Sequence, residues 1–262
     1  MNLKINSMNG NSYFDINRIK FLLIRQLRFS TQTLLIGFGA VVGLIVFILS
    51  MSVIFRNTGL ESSAFFGLVM PFFFAGGYVF TSTIFSELKT SHRGYLYLTL
   101  PASTLEKLLV SWLITSVLYI AASIVVMFVI NLLLMGVAII FSSNPVPLFN
   151  LFDPSVLKVY AIYLVTQSVF VLGAIYFRSV NFLKTILSLF VIILIIAIYS
   201  SLAARLIVFH NFYSMHFGDD LPESMKDFFV NIFAPAMKVL FWYCLAPFFL
   251  IVSYFRLKER EV

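Results

Sequence analysis

The sequence predicts an all-α membrane protein with six transmembrane helices, an interfacial helix before the first span and an external amphipathic helix before the last. Three observations carry that prediction. Of 262 residues, 61% are hydrophobic and 11% are charged, whereas soluble domains hold about 25% charged and about 45–50% apolar residues. Six apolar runs each approach or exceed the roughly 20 helical residues that cross a hydrocarbon core of about 30 Å. Basic residues sort to alternate connections between those runs, as the positive-inside rule demands. The apolar content excludes an ordinary soluble domain, a disordered chain and a fibre. Residues 1–262 therefore read as one membrane domain.

Residues 15–29, DINRIKFLLIRQLRF, precede the first span. Asp15 is a candidate N-cap. Arg18, Arg25 and Arg28 share one side at helical spacing, and Ile16, Ile19, Leu23 and Leu27 fill much of another; Lys20 interrupts the pattern. The segment reads as an interfacial helix held by anionic lipid. A plain basic flank that sets topology is the other reading.

The first two spans, 33–55 and 63–85, contain no charge. Gly39 and Gly43 form G-x-x-x-G in the first, and Gly76 and Gly77 lie in the second. Both pairs predict close helix packing, within the bundle or between two copies. Pro71 and Pro247 are candidate kinks in spans two and six. Residues 108–141 are uncharged and too long for a single perpendicular crossing: one helix of about 51 Å follows from about 1.5 Å per residue. It is expected to tilt, protrude or break near Asn131 or Gly136. Spans at 155–177, 185–207 and 234–255 follow, with Lys158, Arg205 and Lys238 near their ends or snorkelling to the interface.

Between spans two and three lies the loop 86–107, SELKTSHRGYLYLTLPASTLEK. Ser103 and Glu106 fit a capping box that starts the third span, with Pro101 just ahead of it. Gly94 is expected to break a short helix begun near Ser86. Glu87, Lys89, Arg93, Tyr95 and Tyr97 suit either an anchor for two helices or a docking element for a cytoplasmic partner. Residues 219–233 predict the external helix. Asp219 or Asp220 caps it, Pro222 opens it, and Leu221, Met225, Phe228, Phe229, Ile232 and Phe233 form its apolar stripe.

With the N-terminus inside, Arg56, Lys158, Arg205, Lys226 and Lys238 fall outside, and every other one of the 18 Lys and Arg residues falls inside. That bias places both termini in the cytoplasm. No ionisable residue lies near the middle of a span, which disfavours proton-coupled transport. Asn131 and the Thr166-Gln167-Ser168 trio are the most polar mid-span groups, and they are expected to hydrogen-bond between helices. No P-loop or H-E-x-x-H pattern occurs. His92, His210 and His216 lie outside the spans, and the loop bearing His210, His216, Asp219 and Asp220 reads as solvated. No catalytic residue, metal site, cofactor or nucleic-acid surface is expected. Cys244 reads as packing within an apolar run.

The layout resembles the membrane subunit of ATP-binding-cassette exporters of the type-2 permease family. That family has six spans, both ends inside, an elbow helix before span one, a coupling helix between spans two and three, and a short helical segment before span six. The loop FSELKTSHRGYLYLTLPASTLEK is similar to the family's pattern of an acid, a Gly and Leu, then a Pro and small residues. On those positions fall Glu87, Arg93, Gly94, Leu98 and Pro101. The variant LTLPAS…EK, with a closing RLKEREV, resembles a subgroup common in Bacteroidetes-type bacteria. The resemblance implies a chain that hydrolyses no ATP itself. It implies a separate ATP-binding-cassette ATPase docked on the loop, a second permease copy or paralogue, contact with membrane lipids, and residence in a bacterial cytoplasmic (inner) membrane. A non-transporting membrane scaffold shares the topology, and an intramembrane enzyme would need a catalytic cluster.

Overall fold

The computed structural model describes residues 15–56, 61–89, 94, 102–141, 146–177, 179–211 and 227–260. Among them there is no strand. Six helices follow in order: α1 (Ile16–Arg56), α2 (Ser62–Thr83), α3 (Thr104–Phe141), α4 (Pro154–Tyr176), α5 (Asn181–Asn211) and α6 (Val230–Lys258). Each carries a stretch long and apolar enough to cross a membrane. The chain is an all-α, multi-pass membrane protein.

One element differs from the sequence expectation, and a second agrees with it while adding a detail. Helix α1 runs unbroken through 41 residues, roughly 60 Å at about 1.5 Å per residue. No helix break separates the predicted interfacial segment from the first span. The apolar side of that segment also has a destination in the protein: Leu22 is buried, and Ile19, Leu23 and Leu27 pack against the bundle core, while Ile16 is exposed. Helix α3 is a single helix of 38 residues, as the reading of 108–141 as one long span expects. Its irregularity is a π-turn at Ile114–Leu118, not a break near Asn131 or Gly136. The π-turn adds a residue to one turn and shifts the register of everything beyond it. Of the external helix, residues 219–226 lie outside the described residues, and Phe228–Phe233 form a π-helical lead into the last span.

Helix α4 is the centre of the bundle. More than half of its apolar stretch is buried, against a small fraction in α5 and α6. Asp153 caps it and Pro154 opens it, the residue pair favoured at a helix start. The Ser155 hydroxyl and amide both donate to Asp153 and hold its carboxyl below the usual carboxylate range. Aromatic rings fill the layer between α2, α3 and α4. Phe73 meets Tyr119 at 5.5 Å, Tyr160 at 5.6 Å and Tyr163 at 4.9 Å between centroids. Tyr78 stacks on Phe170 at 4.1 Å.

Gly77 is what allows that layer. A Cβ there would stand 2.5 Å from Tyr163 Cε2, and one at Gly76 would stand 3.0 Å from the Tyr119 hydroxyl. The second predicted pair of small residues therefore marks a close approach. The first does not: a Cβ on Gly39 or Gly43 would meet nothing within 4 Å. That face of α1 packs on no other helix among the described residues.

Candidate functional site at one end of the bundle

Five helix ends converge on one side. The start of α1 meets the end of α2 through Arg25 and Glu87, and the start of α3 through Asp15 and Glu106. The ends of α4 and α6 meet where Arg260 donates to the Tyr176 carbonyl at 3.2 Å. Alternate crossing of six spans brings these same ends together, so the contacts fit the topology read from the sequence.

Glu87 lies on a short 3₁₀ turn, Ser86–Lys89, that follows α2. Arg25 Nη2 donates to both its carboxylate oxygens, at 3.0 and 3.2 Å. Glu87 is largely shielded, with 12% of its side chain exposed, whereas Arg25 is 41% exposed. At the next residue of α1, Gln26 Nε2 donates to the Ile84 carbonyl at 3.3 Å and to Ser111 Oγ at 3.2 Å. This side chain bridges the end of α2 and the start of α3.

The predicted capping box is present. The Glu106 amide donates to Ser103 Oγ at 3.2 Å, and the Ser103 amide donates to Glu106 Oε2 at 2.8 Å. The other carboxylate oxygen, Oε1, accepts from the Asp15 amide at 2.8 Å. Glu106 is fully buried. A buried carboxylate needs its oxygens satisfied, and three-residue spacing found only one of the two partners.

Of the other residues assigned to the loop, Gly94 is helical and buried. Arg93, Leu98 and Pro101 lie outside the described residues. Arg18 pairs with Asp15 at 3.6 Å, and Arg28 lies on an exposed strip with Phe21, Ile24 and Arg25. No group of three or more His, Cys, Asp or Glu residues poised for a metal occurs among the described residues. His216, Asp219 and Asp220 fall outside them.

Deeper in the bundle, the π-turn carbonyl of Thr115 accepts from the Tyr163 hydroxyl at 2.8 Å. The Gln167 amide, oriented so that its atoms find complementary partners, donates to the same carbonyl at 2.8 Å and accepts from Trp112 Nε1 at 3.2 Å. Thr166 Oγ1 and the Tyr78 hydroxyl lie 2.7 Å apart. Thr166 and Gln167 thus join helices as expected, while Ser168 donates to the Val165 carbonyl of its own helix. Asn131 is buried, and neither amide atom has a partner among the described residues.

Comparison with known proteins adds no relative: no family model, curated protein or solved structure matches the chain.

A cavity of about 410 Å³ lies between α1, α2 and α3, walled by residues including Phe38, Val41, Val69, Gly76, Tyr119 and Met127. Its volume falls in the small-molecule range of about 300–1,000 Å³. Its polar wall atoms already donate to backbone carbonyls: Thr83 to Phe80, Tyr119 to Phe73 and Ser123 to Ile120, each at 2.8 Å. The walls therefore present apolar surface and little hydrogen-bonding capacity.

Proposed function

We propose that this protein is the membrane-spanning subunit of an ATP-driven exporter of the type-2 permease class, driven by a separate ATPase through the 86–107 loop. The observation that carries the reading is the clasp at one end of the bundle. Arg25, Gln26 and the Asp15 amide tie α1 to Glu87 and Ile84 on one side of the loop, and to Ser111 and Glu106 on the other. A push on the loop would move α1, α2 and α3 as a unit, and those three helices wall the cavity. In this reading two permease copies, identical or related, form the path. The chain lies in a bacterial inner membrane with both termini cytoplasmic, where the basic end of the bundle would face the ATPase and anionic lipid.

The test is affinity purification of the tagged protein from its native membrane, with mass spectrometry of what accompanies it. A stoichiometric ATPase with Walker motifs is expected. Glu87→Lys and Arg93→Glu should each lower its recovery while leaving membrane insertion intact. Preparations free of any such ATPase, across several detergents and with nucleotide added, would overturn the reading.

A further inference from the structure

We propose that the groove between the first turns of α3 and the last turns of α6 holds an anionic phospholipid, its acyl chain along the groove and its phosphate on Lys258. The groove has a volume of about 420 Å³ and is walled by Leu105, Leu109 and Trp112 of α3 and by Ile251, Tyr254 and Phe255 of α6, among others. Its surface is wholly apolar. Trp112 is a rigid wall, because its indole N–H is held by Gln167 on the inner side.

Charge selects the occupant. Ile251, Tyr254, Phe255 and Lys258 follow the i, i+3, i+4, i+7 spacing of one helix face, so Lys258 stands at the end of the groove's own stripe. The other charges of this helix end are engaged. Arg256 pairs with Glu259 and lies 5.1 Å over the Tyr176 ring, and Arg260 donates to the Tyr176 carbonyl. Lys258 is exposed and has no hydrogen bond or ion pair among the described residues. An apolar channel that ends on a spare cation at the rim of two spans matches an amphiphile with an anionic head. Trp112 and Tyr254 suit that depth, where aromatic side chains concentrate. A partner helix would fill the channel without calling for a cation at its end.

Trp112 reports the site directly. The chain has 2 tryptophans, so Trp242→Phe leaves Trp112 as the single fluorophore. The experiment reads quenching of this variant in detergent by phosphatidylglycerol and by phosphatidylcholine carrying brominated acyl chains. Phosphatidylglycerol is expected to quench at about five-fold lower concentration, the effect of one basic residue near a headgroup. Lys258→Glu and Lys258→Gln should abolish that preference and leave phosphatidylcholine quenching unchanged, and Lys258→Arg should keep it. Equal quenching by both lipids in the parent, or no quenching by either, would overturn the proposal. So would a preference that survives Lys258→Glu, or one that Lys20→Glu removes equally, since the latter reports overall charge. The outcome does not depend on the exporter reading, because no ATPase takes part.

Discussion

The Glu106 carboxylate joins two segments of chain 91 residues apart: Oε1 accepts from the Asp15 amide and Oε2 from the Ser103 amide, both at 2.8 Å. Its burial keeps water from replacing either donor. Hydrogen bonds to a charged group contribute about 1.5–3 kcal/mol each. Glu106→Ala is expected to lower stability by about 2–4 kcal/mol, measured by chemical unfolding of the purified protein. Ser103→Ala, which removes only the cap hydroxyl, should cost about 1 kcal/mol.

The two pairs of small residues separate cleanly in mutagenesis. Gly77→Ala drives a methyl against Tyr163 Cε2, and overpacking of this kind costs about 1–3 kcal/mol. Gly43→Ala meets open space and should stay within about 0.5 kcal/mol of the parent. If a second copy covers that face, Gly43→Leu will weaken self-association while leaving monomer unfolding unchanged. Cross-linking in membranes alongside unfolding reads both quantities.

Between α4 and α5 the chain turns at Val180, whose φ of 52° lies in the left-handed region. The region disfavours a β-branched residue, and for L-residues it costs about 1–2 kcal/mol. The turn holds because Asn181 Nδ2 donates to the Ala174 carbonyl at 2.9 Å. Val180 is exposed, so its side chain contributes little packing. Val180→Asn should raise stability by about 1 kcal/mol, seen as a higher unfolding midpoint; Asn181→Ala should lower it by about the same amount.

Asn131 carries a polar amide into the bundle without a partner among the described residues. Burying such a group costs about 1–3 kcal/mol. Asn131→Leu, close in volume, is expected to raise the unfolding midpoint. A lower midpoint would mean that water or a second chain satisfies the amide in the membrane.

The clasp shows which parts of the site could be read in advance. Arg25 and Glu87 were both legible as single residues, one on an amphipathic helix and one in a charged loop. Their pairing was not, because 62 residues separate them and no local period links them. Glu106 was half legible: the capping box lies within one turn, but the Asp15 partner requires α1 to lie against α3. A break near Asn131 or Gly136 was one of three ways for α3 to fit, and where its irregularity falls was illegible for the same reason. The π-turn at Ile114–Leu118 sits instead where Tyr163 and Gln167 of α4 both donate to the Thr115 carbonyl, and those donors come from another helix.

By itself the sequence determined the class of the protein, its six spans, and the cap at Ser103. These depend on hydrophobic length and on hydrogen bonds within a turn, both of which are local. Tertiary structure alone decided the rest. It set Gly77 rather than Gly43 against a neighbour, turned the apolar side of residues 19–27 onto the bundle, joined Arg25 to Glu87, and left Lys258 unpaired at the end of an apolar groove. Inside a bilayer every span is apolar enough for lipid. Which face meets protein is therefore settled by shape and by the few polar groups that must find one another.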